Sequence, residues 1–199
     1  MSMRGFPCSI ALAGAALAAL TACGDGDKAT ADSTVGASIA AANPAPPTPA
    51  PGGVMVSMIS ATGAELGTLT LSESGGPITL SGSLRGLPPG EHGIHLHMVG
   101  QCTPPFESAG GHWNPTSKQH GTQNAQGPHA GDMMNITVGA DSTANVNVTS
   151  ASGPLRGAGG LVDGDGAAVV IHAAADDYKT DPSGNSGARI ACGAVATGS

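Results

Sequence analysis

Between Val54 and Val195 the apolar residues recur in short runs with period-two alternation, and no segment keeps the spacing of a long helix. Turn chemistry separates several runs: Ser74-Gly-Gly-Pro77, Gly86-Leu-Pro-Pro-Gly90, Gly139-Ala-Asp-Ser142 and Asp163-Gly-Asp-Gly166. The pattern predicts strands over 54–60, 66–72, 78–84, 94–99, 134–138, 144–149, 168–173 and 189–195. Eight short strands with frequent turns imply an all-β fold, an antiparallel sandwich or barrel. Aromatics are scarce, Phe6, Phe106, Trp113 and Tyr178, so the core must be built from Val, Ile, Leu, Met and Ala.

Residues ahead of this domain differ in kind. Arg4 opens a short basic segment, an apolar run follows from Ile10 to Leu20, and Leu20-Thr21-Ala22-Cys23 ends it. The run is too short to span a bilayer and has the size of a signal-peptide core. Leu-Thr-Ala-Cys resembles a bacterial lipobox, which makes 1–22 a lipoprotein signal peptide and Cys23 the lipidated residue anchoring the chain to a membrane. Gly24, rather than Asp, after that cysteine points to the outer membrane of the cell envelope. Residues 23–52 hold almost nothing large to bury and end in Asn43-Pro-Ala-Pro-Pro-Thr-Pro-Ala-Pro51, a flexible linker of ~30 Å mean reach. The folded domain then occupies 53–199, exported to the periplasm. With Cys8 in the removed segment and Cys23 lipidated, Cys102 and Cys192 remain as an even pair in an oxidising compartment, where a disulfide is expected; two separate buried thiols are the alternative. The formal net charge of -7 and the lack of any Lys/Arg run exclude an electrostatic nucleic-acid footprint.

Two stretches, 100–132 and 174–188, are too long for hairpin turns, and loops of that length tend to be functional or disordered. His95 and His97 stand at i, i+2 on a predicted strand, so both rings project from one face while Ile94, Leu96 and Met98 project into the core from the other. The first loop adds His112, His120, His129 and Asp132, three imidazoles and a carboxylate suited to four-coordinate zinc. His172 ends the apolar strand Ala168-Val-Val-Ile-His172 and shares a face with Val170, where a packed strand histidine is the plain alternative.

Five blocks together resemble the copper,zinc superoxide dismutase family, its bacterial lipoprotein members above all. They are His92-Gly-Ile-His-Leu-His97, Ser108-Ala-Gly-Gly-His-Trp-Asn-Pro115, His120-Gly121, Gly127-Pro-His-Ala-Gly-Asp132 and Ala175-Asp-Asp-Tyr-Lys-Thr-Asp-Pro-Ser-Gly-Asn-Ser-Gly-Ala-Arg-Ile-Ala-Cys-Gly193. The resemblance implies an eight-stranded, immunoglobulin-like Greek-key barrel or sandwich with two long functional loops. It implies one copper and one zinc ion per subunit, with His95, His97, His112 and His172 on copper, and His112, His120, His129 and Asp132 on zinc. His112 would bridge the two ions, His92 would be a supporting hydrogen-bonding residue, and Asp176 would fix the rings of His95 and His120 from behind. Arg189 would dock the superoxide anion, aided by a Cys102–Cys192 disulfide, with Lys179 and Lys118 as lesser steering charges. The reaction implied is a ping-pong dismutation of superoxide to O2 and H2O2, in which His112 also carries a proton, in a monomer or homodimer.

Departures from the family pattern are Ile94 and Trp113 where Phe is usual, and Met98 where many members have Glu. Met98, Met133 and Met134 read first as packing residues, although a soft thioether could hand over Cu(I). A non-catalytic copper carrier on the same fold is the rival reading. It predicts loss of a ligand, the arginine or a loop, and the sequence retains all of them.

Overall fold

The computed structural model describes residues 53–73 and 75–196; Cys23, the signal segment and the linker fall outside them, as does Ser74 within the first predicted turn. Among the described residues there are nine strands: β1 Val54–Ser60, β2 Glu65–Glu73, β3 Ile78–Arg85, β4 Gly90–His92, β5 Ile94–His97, β6 Ile136–Val138, β7 Thr143–Thr149, β8 Ala167–His172 and β9 Arg189–Val195. Each of the eight predicted strands is present. The addition is β4, three residues whose short, turn-flanked sequence carries no alternation to read. No helix among the described residues is long and apolar enough to cross a membrane.

Seven strands form one antiparallel sheet in the order β5-β8-β9-β1-β2-β3-β7, and β4 pairs with β6 in a second. The neighbours β3/β7 and β9/β1 are far apart in sequence, the crossing connections of a Greek key. The sheet curls: β6 packs beside β7, β4 pairs with β6, and β4 continues through Gly93 into β5 at the opposite sheet edge. Period-two burial explains the strand sequences. In β1, Val56 and Met58 face inward and Met55 and Ser57 outward; in β7, Ala144 and Val146 alternate with exposed asparagines.

Every residue of β8 is buried, because the strand is covered on both faces. Val169 and Ile171 join the main core with Ile94 and Leu96, while Ala168 and Val170 meet a second cluster containing Phe106, Ala109 and Cys192. A near-continuous apolar run is the sequence that two-sided burial requires. The second cluster sits under the loop after β5, where Cys102 and Cys192 are joined by a disulfide with a Cα–Cα separation of 5.6 Å. That loop is therefore held to β9 by a covalent bond and by a fully buried phenylalanine.

Candidate metal centre

Strand β5 supplies the first two candidate ligands because its pleat divides its residues cleanly. Ile94 and Leu96 enter the main core, and His95 and His97 point the opposite way. The long loop returns along the free edge of β5, with the Trp113 N–H donating to Leu96 O at 2.8 Å and the Leu96 N–H to Gly131 O at 3.0 Å. A Cβ at Gly131 would collide with the Leu96 carbonyl, so this close approach requires glycine. The loop thereby brings His112 beside His97 and Asp132 beside His95. His172 arrives from the end of β8, next to a register shift after Ile171.

Two groups of side chains result. His95, His97, His112 and His172 each place a ring nitrogen within 4.8 Å of the others, and so do the ligand atoms of His112, His120, His129 and Asp132. In the first group four buried nitrogens have no hydrogen-bond partner: His95 Nδ1, His97 Nε2, His112 Nε2 and His172 Nε2. Four unpaired polar atoms converging in the interior would be costly unless a cation completes them. The far nitrogen of each ring is engaged. His97 Nδ1 donates to Gly110 O at 3.0 Å, His172 Nδ1 to Gly187 O at 3.1 Å, and His95 Nε2 to Asp176 Oδ2 at 2.7 Å. A nitrogen that donates to a carbonyl or carboxylate leaves its lone pair on the other nitrogen, so these contacts aim the lone pairs inward.

The second group surrounds Asp132. Its Oδ1 lies 2.9 Å from His112 Nδ1, 3.0 Å from His120 Nδ1 and 3.3 Å from His129 Nδ1. Its Oδ2 accepts the backbone N–H groups of Gly121 and His129, which fixes the carboxylate plane. Three imidazoles and a carboxylate at such separations are the donor set that a tetrahedral Zn²⁺ takes. His112 belongs to both groups, Nε2 toward the histidine quartet and Nδ1 toward the Asp132 group.

Asp176 lies behind both. Its Oδ1 is 3.0 Å from His120 Nε2, and its Oδ2 is the acceptor for His95, so one carboxylate sets a ring in each group. Asn135 in turn clamps Asp176: its Oδ1 accepts the Asp176 N–H at 2.8 Å and its Nδ2 donates to the Asp176 carbonyl at 3.0 Å. Asp181 accepts the His120 N–H, and a Cβ at Gly184, with φ +64, would collide with Asp176 Oδ1. The sequence reading missed Asn135, Asp181 and Gly184. They act through backbone groups and close approach, for which spacing gives no signal. His92 touches the site only from behind, its ring nitrogens reaching the carbonyls of His172 and Pro88.

Arg189, half-buried at the start of β9, donates through Nη1 to Phe106 O and through Nη2 to Gly110 O, both at 2.7 Å. Phe106 holds φ +77, an uncommon conformation for a bulky residue, which its buried ring and this charge-assisted bond offset. Arg189 lines a cavity of about 430 Å³ with His112, His129 and His172, and no Lys lines it among the described residues. Lys179 and Lys118 are exposed elsewhere. Met98 also lines this cavity and is 45% exposed. The expectation that it projects into the core is thereby corrected: β5 ends at His97, so strand alternation no longer governs the next residue. Met133 does pack in the core, and Met134 is exposed.

Burial sets the charge state of the quartet. Desolvation lowers His95 to about 3, His172 to about 4, and His97 and His112 below the ordinary imidazole value. Burial works the same way on His120, but the hydrogen bonds and charges of Asp132 and Asp176 outweigh it and raise the ring to about 9. Burial opposes ionisation of Asp132 and Asp176, and their histidine partners still hold both carboxyls below the usual range. A histidine with a lowered folded value binds fewer protons folded than unfolded, so its stabilisation is lost as pH falls below 6.5. His120 has the opposite sign, and its contribution is lost as pH rises toward about 9. Four histidines, and at lower pH the two aspartates, act on the acid side, and His120 acts on the alkaline side. The thermal midpoint of the metal-free domain should therefore be highest near neutrality and fall more steeply toward pH 4 than toward pH 9. Midpoints that rise on acidification would contradict this balance.

Comparison with known proteins agrees with the geometry. The model of the family described as copper/zinc superoxide dismutase (SODC) matches residues 65–195. The chain belongs to this family. Among its relatives in the copper/zinc superoxide dismutase family, superoxide dismutase [Cu-Zn] 2 of Aquifex aeolicus is 42% identical over 142 residues, 69% of this chain and 83% of the relative. The superoxide dismutase-like protein YojM of Bacillus subtilis is 43% identical over 145 residues, 70% and 74% of the two chains. The crystal structure of a SOD-like protein from Bacillus subtilis superposes with a TM-score of 0.68 at 41% identity, covering 72% of this chain and 99% of that one. The Cu/Zn superoxide dismutase from Brucella abortus gives 0.59 at 27% identity, covering 72% and 99%.

Proposed function

We propose that the domain is an active superoxide dismutase, converting two superoxide anions and two protons to O2 and H2O2. The observation that carries this reading is His112, with Nε2 unpaired among three other histidines and Nδ1 among the Asp132 group. His95, His97, His112 and His172 would hold copper; His112, His120, His129 and Asp132 would hold zinc, one ion of each per chain. Copper, when bound, supplies the one-electron exchange, and zinc has no redox chemistry of its own. The chain's residues supply the rest. The Arg189 guanidinium, fixed by two carbonyls, offers positive charge at the cavity wall against an adverse net charge of -7. His112 Nε2, buried and unpaired in the quartet, is the ring atom at which a proton can be held, because Nδ1 is engaged with Asp132. The carrier alternative requires a missing ligand or arginine, and the described residues include the full set.

Metal analysis with superoxide-dependent turnover tests the reading. About one copper and one zinc per chain are expected, and an active protein free of copper would overturn it. Replacing Arg189 with Ala should leave both metals bound and lower turnover roughly tenfold or more, with weaker dependence on salt, since the lost term is attraction of an anion. Unchanged turnover and salt dependence would remove Arg189 from that role.

We also propose that the domain, 53–199, works in the periplasm at the end of the 23–52 linker, anchored through acylated Cys23 to the outer membrane, protecting the cell envelope from external superoxide. Mass spectrometry of the mature N-terminus should find lipid on Cys23; an unmodified start elsewhere would reject the anchor.

A further inference from the structure

Among the described residues the exposed large hydrophobic side chains are three, Met55, Met98 and Met134, all thioethers. Of these, Met98 alone lines the cavity that contains Arg189, His112 and His172. His95 and His97 have no accessible surface and do not line it, so an ion reaching the quartet from solvent meets the walls of this cavity first. We infer that Met98 is an entry ligand for monovalent copper, taking Cu(I) from a donor at the cavity mouth and passing it inward to His172 or His112. The inference rests on the reading of the histidine quartet as a copper site. A neutral thioether favours Cu(I), whereas imidazole and carboxylate suit Zn²⁺. The residue therefore gives the two ions separate preferences at a site whose ring nitrogens alone would accept either. Transfer is ligand exchange: a copper–sulfur bond forms as the donor's bond breaks, then breaks as a copper–nitrogen bond forms. Copper stays Cu(I), and no electron or proton is consumed. Arg189 at the same wall disfavours cations in general, which makes a specific soft ligand there more useful.

The test is anaerobic transfer of Cu(I) from its bicinchoninate complex to the zinc-loaded, copper-free protein, followed by loss of the complex's colour. The Met98→Leu variant conserves volume at an exposed position and should fold normally. It should take up Cu(I) about fivefold or more slowly than the parent protein, reach the same final copper content, and take up Cu(II) at an unchanged rate. Met134→Leu, an exposed methionine outside the cavity, should behave as the parent does. Equal Cu(I) rates in Met98→Leu and parent protein would overturn the inference while leaving the copper site intact. Equal slowing of Cu(II), or equal slowing in Met134→Leu, would overturn it as a nonspecific effect. If the parent protein binds no copper at all, the ligand assignment fails and Met98 falls with it.

Discussion

Replacement of His112 with Ala is expected to abolish superoxide-dependent turnover and to lower the content of both metals, where loss of any other single ligand strikes mainly one. The ring has one nitrogen unpaired in the histidine quartet and the other 2.9 Å from Asp132. Alanine removes one donor from each group and leaves Asp132 with two of its three imidazole neighbours. Retained zinc at full occupancy with copper alone lost would show that the Asp132 group does not need His112. By contrast His172→Ala should lose copper and turnover but keep zinc, since His172 belongs to the quartet alone. Metal content of the two variants, measured side by side, separates a shared ligand from an unshared one.

The second large effect concerns stability. Cys102 and Cys192 are 90 residues apart, and closing a loop of that length restricts the unfolded chain by roughly 4 to 5 kcal/mol in the chain-entropy account. The Cys102→Ser, Cys192→Ser double variant should unfold roughly 10 to 15 °C below the parent domain, taking about 3 °C per kcal/mol for a domain of this size. Its turnover should also fall well below the melting point, because the loop under the disulfide carries the Phe106 and Gly110 carbonyls that hold Arg189. Full turnover at low temperature would separate the bond's stabilising role from the placement of the arginine.

Strands were legible because each presents one face to a core, and period-two alternation records that directly. β4 was not, since three residues between turns hold too little pattern, and its place depends on pairing with β6, more than forty positions along the chain. At the site, histidine and aspartate stand out by residue type, but their division into two groups, with His172 in the first and His112 in both, came from the resemblance to the family. What spacing cannot show is convergence. Asn135, Asp181 and Gly184 have no unusual chemistry, and they matter only because folding brings their amide, carboxylate or missing Cβ against Asp176 and His120. Met98 failed for a different reason: alternation holds only while the strand lasts, and β5 stops one residue earlier.

The Gly110 carbonyl accepts from both His97 Nδ1 and Arg189 Nη2. A substitution or loop shift that displaces this one oxygen removes the acceptor that orients a ring of the histidine quartet and an anchor of the guanidinium together. Damage to substrate capture and damage to metal retention should then be inherited as a single trait. Variants of the neighbouring loop would fall into two classes, nearly intact or deficient in both, with few between.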